Sequence, residues 1–270
     1  MNICVIIPAA GSSRRFNASG GEGVLAPRNK LDEDLGGRPV LQRTVELFTN
    51  DHRVSSVIVA GPHDEAAFAE FKLRHGDRLT MLGASLVRGG KDHRCETVAA
   101  ALAHVPEDAT HVAVHDAARP AASPELIDRV FEAASRHDAV IPAIPAPDTV
   151  KRVGGEVEDS AGADPLAAIL GPGGGSKSPL FEVAETLDRA GLVLVQTPQV
   201  FARALLVRAY AQDDLTSTDD ASLVERLGER VVTVEGDPRN IKITMPADVP
   251  LARAILGLKG PAQRAAHKKF

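Results

Sequence analysis

From the N-terminus to about residue 147, short apolar runs alternate with amphipathic stretches. Ile3–Pro8, Val54–Ala60, Ser85–Val87, His111–His115 and Ala139–Ile144 are rich in Val and Ile and lack clean polar alternation, the pattern of strands covered on both faces. Between them, Val40–Thr49, Glu65–His75, Thr97–Val105 and Pro124–Ser135 carry apolar residues at helical spacing. Ser123-Pro124 reads as an N-cap followed by proline at the first helical position. The alternation predicts an α/β fold, a Rossmann-like, mainly parallel twisted sheet with helices on both faces and right-handed crossovers.

The pattern breaks after Pro147. The segment at about 147–190 contains Gly171-Pro172-Gly173-Gly174-Gly175-Ser176 and is predicted to be a projecting arm, flexible at its glycines. Order is expected again at Val193–Gln196 as a strand, Ala202–Gln212 as a helix, and a second helix capped by Thr218 or Asp219 and stopped at Gly228. Val231–Glu235 and Ile241–Thr244 read as late strands, and Pro246–Leu256 as a closing helix. Residues 1–258 thus read as a single domain bearing the arm, and 259–270 as a basic tail that frays.

Composition narrows the function. The 270 residues include 44% hydrophobic and 25% charged positions, enough for a core that needs no disulfide or metal. A formal net charge of -5 argues against general nucleic-acid binding, so any anionic ligand must meet a local cluster of Lys and Arg. Trp is absent and aromatics are 3%, which disfavours base stacking along a single strand. Cys4 and Cys95 are isolated and make neither a disulfide framework nor a zinc site. Ile3-Cys4-Val5-Ile6-Ile7 has no basic segment before it and is too short to span a membrane, so a cytoplasmic protein is expected.

The candidate chemistry begins at the first strand. It runs into Pro8-Ala9-Ala10-Gly11-Ser12-Ser13-Arg14-Arg15, with Lys30 further along the same loop. Small residues after a parallel strand let backbone N–H groups approach an anion, and the cations supply charge for a triphosphate. Neither G-x-G-x-x-G nor the P-loop pattern is present. Taken alone, Arg14, Arg15 and Lys30 fit a solvated surface equally well. Asp116, at the end of a buried strand, suits Mg²⁺ against a triphosphate or a simple turn cap. His115 reads as structural, because transfer onto an already ionised phosphate removes no proton. Gly89-Gly90, with Arg94 and Thr97 after it, forms a second glycine loop whose backbone suits either a base edge or an ordinary turn. Asp148-Thr149-Val150-Lys151, Asp188-Arg189, Thr197-Pro198-Gln199 and Asn240-Ile241-Lys242-Ile243-Thr244 complete the polar clusters.

The ordered set matters more than its members. Pro8-Ala9-Ala10-Gly11 with Arg14-Arg15, Val114-His115-Asp116-Ala117-Ala118-Arg119-Pro120, Asp148-Thr149-x-Lys151, Thr197-Pro198-Gln199, Thr218-Asp219-Asp220-Ala221-Ser222 and Asn240-Ile241-Lys242-Ile243-Thr244 together resemble the IspD family of 2-C-methyl-D-erythritol 4-phosphate cytidylyltransferases. The resemblance implies a nucleotidyltransferase that takes CTP and a small polyol phosphate, needs Mg²⁺ held by Asp116, and forms a homodimer through the arm. It implies charge neutralisation by Arg15, Lys30 and Lys242, and a cytidine pocket lined by Ala9, Ala10, Gly11, Gly90, Thr97 and Ala117. The acceptor would be held by Asp148, Thr149, Arg189, Thr197 and Thr218, with Arg189 coming from the neighbouring subunit. The first loop is longer than the family pattern by Asn17–Ala26, which leaves Arg28 beside Lys30 as an alternative cation. The alternatives are a cytidylyltransferase for another polyol phosphate, such as ribitol phosphate, and a nucleotide binder without turnover.

Overall fold

The structure is a computed structural model and describes residues 1–18, 28–157 and 179–258. Its strands are β1 (Ile3–Pro8), β2 (Val54–Gly61), β3 (Ala84–Arg88), β4 (His111–Val114), β5 (Ala139–Pro145), β6 (Lys151–Val157), β7 (Leu180–Thr186), β8 (Val193–Val195), β9 (Gln199–Ala202) and β10 (Val232–Glu235). Its helices are α1 (Arg14–Ala18), α2 (Val40–Glu46), α3 (Glu65–Met81), α4 (Arg94–Leu102), α5 (Pro124–Ala134), α6 (Arg203–Tyr210), α7 (Ala221–Arg226) and α8 (Asp248–Ile255), with a 3₁₀ turn at Lys30–Asp32. The chain divides into two compact units, one of residues 1–144 with 195–270 and one of residues 145–194.

In the first unit, hydrogen-bonded neighbours follow the order β10-β5-β9-β4-β1-β2-β3. β1 pairs parallel with β2 and β4, β2 with β3, and β5 with β10, while β9 runs antiparallel between β4 and β5. The chain leaves β1 in one direction toward β2 and β3, then crosses through α4 to β4 on β1's other side. That reversal opens a crevice beyond the carboxyl ends of β1 and β4, where ligands of open α/β sheets bind.

The apolar run of β1 explains why it is central. Ile3, Cys4, Val5, Ile6 and Ile7 are all fully buried, and alternate residues face opposite sides of the sheet. Ile3, Val5 and Ile7 join a core with Val40 and Val45 of α2, Phe131 of α5 and Ala252 of α8. Cys4 and Ile6 join a second core with Val98 of α4, Leu206 of α6 and Val224 of α7. α5 starts as its sequence demands, since the Ser123 hydroxyl accepts from the Leu126 N–H and proline follows it. α3 runs on to Met81, beyond the expected His75, because Leu79 still faces the core; it stops where Gly83 takes φ +79.

Three sequence expectations change. Ile241–Thr244 is not a strand: the Ile243 N–H donates to the Ala118 carbonyl, and the Thr244 and Met245 N–H groups donate to the Asp248 carboxylate at the start of α8. Those bonds replace a ladder. Gln199, read within the polar cluster Thr197-Pro198-Gln199, opens a four-residue strand, Gln199–Ala202, between β4 and β5, and the helix expected from Ala202 starts at Arg203. α4 begins at Arg94, three residues before the expected Thr97.

In the second unit, β6 and β7 pair antiparallel from Lys151–Thr186 to Val157–Leu180. Every residue of both strands is exposed. The glycine-rich segment, most of the lengthened first loop and the basic tail lie outside the described residues. Among the described residues, no helix is long and apolar enough to cross a membrane.

Ile6→Ala removes a fully buried side chain from the central strand and is expected to lower unfolding free energy by about 2–5 kcal/mol. Urea unfolding with an unchanged slope is the check. A loss below about 1 kcal/mol would mean that the site is not tightly packed.

Candidate active site

A cleft of about 280 Å³ opens beyond β1 and β4. Ala9, Ala10, Gly11 and Arg15 line it from the loop after β1, and Lys30 from the 3₁₀ turn. Gly90, Arg94 and Thr97 line it from the start of α4, Asp116 and Ala117 from the end of β4, and Lys242 from the segment before α8. Its lining holds five cationic side chains, Arg15, Lys30, Lys91, Arg94 and Lys242, against the two carboxylates Asp92 and Asp116. A chain of net charge -5 therefore concentrates positive charge at this cleft.

Asp116 is the centre of the arrangement. Its side chain accepts from Lys242 Nζ at 2.9 Å and lies 3.4 Å from Arg94 Nε and 3.3 Å from Arg119 Nε. Burial pushes its pKa up, but Lys242, Arg94 and Arg119 outweigh burial and hold the carboxyl well below its usual range. The backbone behind it is pinned. The Asp116 N–H donates to Thr197 Oγ1 at 3.0 Å, and Asn240 Nδ2 donates to the Thr197 carbonyl at 2.8 Å. Arg119 Nη1 donates to the Asn240 carbonyl at 2.6 Å. Arg94 is gripped from its far side by Asp220 at 2.7 Å.

His115 is buried without exposure and packs edge-on against Phe48. Burial lowers its pKa to about 4, so the ring is neutral near pH 7. A ring with its proton on Nε2 donates to the Arg119 carbonyl at 3.0 Å and accepts from the Thr197 hydroxyl at Nδ1, 3.2 Å away. Both nitrogens are engaged behind the cleft, which makes His115 a strut rather than a base.

Lys30 and Arg28 part company in the fold. Lys30 lines the cleft and donates from Nζ to the Ile243 carbonyl at 2.9 Å. Arg28 turns to Glu33 at 2.6 Å and stacks over Phe16. Burial and the neighbouring Lys242 lower the Lys30 pKa to about 8. The glycine loop is equally constrained. A Cβ on Gly90 would meet Glu96 Cβ at 2.2 Å, so only glycine lets the backbone pass. Thr97 Oγ1 accepts from the Gly90 N–H, and the Glu96 carboxylate accepts from the N–H groups of Lys91 and Asp92.

Of the remaining expected site residues, Thr197 and Thr218 belong to the first unit and are not among the cleft-lining residues. Thr197 is buried behind Asp116 with its hydroxyl engaged there, so its place is that of a support and not a cleft-facing ligand. Thr218 is exposed, ahead of α7, and stands outside the described cleft lining. Asp148, Thr149 and Arg189 are exposed residues of the second unit, where Arg189 donates to the Pro147 carbonyl at 2.5 Å. Sequence reasoning assigned no role to Arg94, Arg119 or Asn240. All three sit inside motifs that were visible; Arg119 meets Asp116 only three residues away, but the ties of Arg94 to Asp220, of Arg119 to the Asn240 carbonyl and of Asn240 to Thr197 join residues far apart in the chain.

Such a cleft suits two polyanions brought together under fixed cations, each charge-assisted hydrogen bond contributing about 1.5–3 kcal/mol. Comparison with known proteins gives the same picture. The family model described as "IspD: 2-C-methyl-D-erythritol 4-phosphate cytidylyltransferase" matches residues 3–181 and 176–258. The chain is 38% identical over 264 residues to the 2-C-methyl-D-erythritol 4-phosphate cytidylyltransferase of Frankia casuarinae, covering 97% of this chain and 84% of that protein. It is 39% identical to the enzyme of the same name from Rhodococcus jostii, covering 94% and 95%. The crystal structure of the Thermus thermophilus enzyme superposes with a TM-score of 0.66 at 30% identity, covering 96% of this chain and all (100%) of that one.

A triphosphate beside Lys30 favours its ammonium form and raises its pKa from about 8, so binding takes up a proton as pH climbs through that value. Calorimetry with inorganic tripolyphosphate at about pH 9, in two buffers of different ionisation enthalpy, is expected to show this uptake and to lose it in Lys30→Gln. Identical heats in the two buffers for the unaltered protein would remove Lys30 from the anion site.

Proposed function

We infer the roles of the cleft residues from one premise: the chain belongs to the 2-C-methyl-D-erythritol 4-phosphate cytidylyltransferase family. It transfers CMP from CTP to 2-C-methyl-D-erythritol 4-phosphate, giving the CDP-linked polyol and pyrophosphate on the non-mevalonate route to isoprenoid precursors. A phosphate oxygen of the acceptor attacks the α-phosphorus of CTP. The bond to the bridging oxygen breaks, and its electron pair leaves with pyrophosphate. No proton has to be removed from the nucleophile, which agrees with a His115 that is neutral and turned away.

The observation that carries the reading is the convergence of Arg15, Lys30 and Lys242 on the cleft around Asp116. We assign Arg15 and Lys30 to the triphosphate and to the charge that grows at the α-phosphorus. Lys242, now 2.9 Å from Asp116, would turn to the α-phosphate or the incoming phosphate. The loop after β1 and the Gly90 loop would enclose the cytidine through Ala9, Ala10, Gly11, Gly90, Thr97 and Ala117. Alignment and fixed charge then supply most of the acceleration.

Mg²⁺ belongs to the same proposal. Among the described residues no three His, Cys, Asp or Glu side chains cluster. A metal here would rest on Asp116 and complete its shell with phosphate oxygens and water, the habit of Mg²⁺. When bound, it neutralises charge on the departing pyrophosphate.

We also assign the acceptor phosphate to Thr149 and Arg189, with Asp148 beside them, across a homodimer formed through the second unit. Val153, Val157, Leu180, Phe181 and Val183 are 47–56% exposed on a two-stranded ribbon, which by itself is marginal in water. A second copy covering them would remedy that. A cytoplasmic location, where CTP is at hand, completes the proposal.

Pyrophosphate release with Mg²⁺ and CTP is expected with methylerythritol phosphate, and not with ribitol phosphate or without acceptor. Lys242→Ala should keep the fold and lose about 10²–10³ in kcat; near-normal kcat/KM would take Lys242 out of the mechanism. Val183→Asp should convert a dimer to monomer in sedimentation. A wild-type protein already monomeric at assay concentration would end the shared-site reading.

A further inference from the structure

Among the described residues with positive φ, Ser13 alone is not glycine; its φ is +55. Side chains rarely adopt that conformation, so something must hold the residue there. The contacts of its side chain lead to the Lys30 turn. Ser13 Oγ accepts from the Lys30 N–H at 3.2 Å and donates to Asn29 Oδ1 at 3.1 Å. Asn29 Oδ1 in turn accepts from the Leu31 N–H and caps the 3₁₀ turn that carries Lys30.

The same neck is fastened once more within α1. Asn17 Nδ2 donates to the Arg28 carbonyl at 3.0 Å, and the Arg28 N–H donates to Asn17 Oδ1 at 2.8 Å. The Ser13 carbonyl accepts from both the backbone and the side chain of Asn17. The two stretches that flank residues 19–27 are thus joined side by side. At the far end of the turn, Asp32 is anchored by Arg74 and His75. Lys30, which lines the cleft, is held from both sides with its ammonium directed to the Ile243 carbonyl.

We propose that Ser13 is a positioning residue: its hydroxyl keeps the Lys30 turn in register with the loop after β1, so that the length of the intervening segment does not displace the cation. A glycine at this position would suit the backbone better and hold Lys30 worse. Stability and turnover should therefore move apart, which a merely structural serine would not produce. The effect on turnover rests on the cytidylyltransferase reading; the effect on Lys30 does not.

The test compares Ser13→Gly with the unaltered protein. Three quantities are read: the urea midpoint, kcat and KM with CTP and methylerythritol phosphate, and the titration midpoint of Lys30. The last comes from pH-dependent competitive acylation of its peptide in the free protein. The charged groups facing Lys30 are Lys242, Asp116, Arg15 and Asp248, none of which the variant alters. Ser13→Gly is expected to keep or raise the urea midpoint. It should lower kcat by roughly tenfold or more with a smaller change in KM for CTP. The Lys30 midpoint should rise from about 8 toward the ordinary lysine value as the ammonium escapes burial. Unchanged kcat and an unchanged Lys30 midpoint overturn the proposal. So does a joint fall of stability and kcat with the Lys30 midpoint unmoved. Should the unaltered protein release no pyrophosphate, the activity reading fails, and the Lys30 titration still decides the role of Ser13.

Discussion

Asp116 is a buried carboxylate that cannot stand alone, and most of the active cleft follows from how it is satisfied. A lone charge at its depth would protonate or leave the interior. Lys242, Arg94 and Arg119 prevent both, each from a different part of the chain. The obligation runs the other way as well. Three cations gathered without Asp116 would repel one another, so the carboxylate fixes where they sit before any ligand arrives. The site is assembled in advance and does not have to be collected by the substrate.

The interaction is useful because its partners are exchangeable. Lys242 and Lys30 rest against Asp116 and the Ile243 carbonyl, groups that phosphate oxygens can replace. Arg94 and Arg119 are differently placed: each has a second partner, Asp220 or the Asn240 carbonyl, that keeps it in position. The cleft thus pairs two cations free to turn toward phosphate with two that keep the floor rigid. Preorganised charge of this kind acts on the transition state without reorganising at the moment of reaction. The neutral His115 and the Thr197 hydroxyl serve the same end, filling the space behind Asp116 with satisfied hydrogen bonds that exclude water.

The strand order explains why these groups meet. Asp116 follows β4, Arg15 follows β1, and the two strands are adjacent at the point where the chain reverses direction across the sheet. β9, inserted antiparallel beside β4, brings Thr197 behind Asp116. The segment at Ile241–Thr244 gives up a strand ladder for single bonds to Ala118 and Asp248. Released from the sheet, it delivers Lys242 to the cleft.

The sequence by itself determined the elements that carry a periodic signal. The double-faced apolar runs named β1, β2, β4 and β5 correctly, and Ser123-Pro124 marked the start of α5, because burial on both faces and capping are local properties of a few neighbouring residues. The ordered motifs, and the resemblance they carry, pointed to Arg15, Lys30, Asp116, Gly90 and Lys242, and these five line one cleft. Tertiary structure alone decided the rest. It brought Lys30 rather than Arg28 into the cleft lining, where Lys30 meets the Ile243 carbonyl from far along the chain. It turned the Thr197 hydroxyl toward Asp116 and His115, made a buried strand of Gln199–Ala202, and tied Arg94 to Asp220 and Arg119 to the Asn240 carbonyl. Each of these outcomes depends on a partner brought close only by folding, and no local pattern encodes which distant carbonyl or carboxylate a side chain will meet.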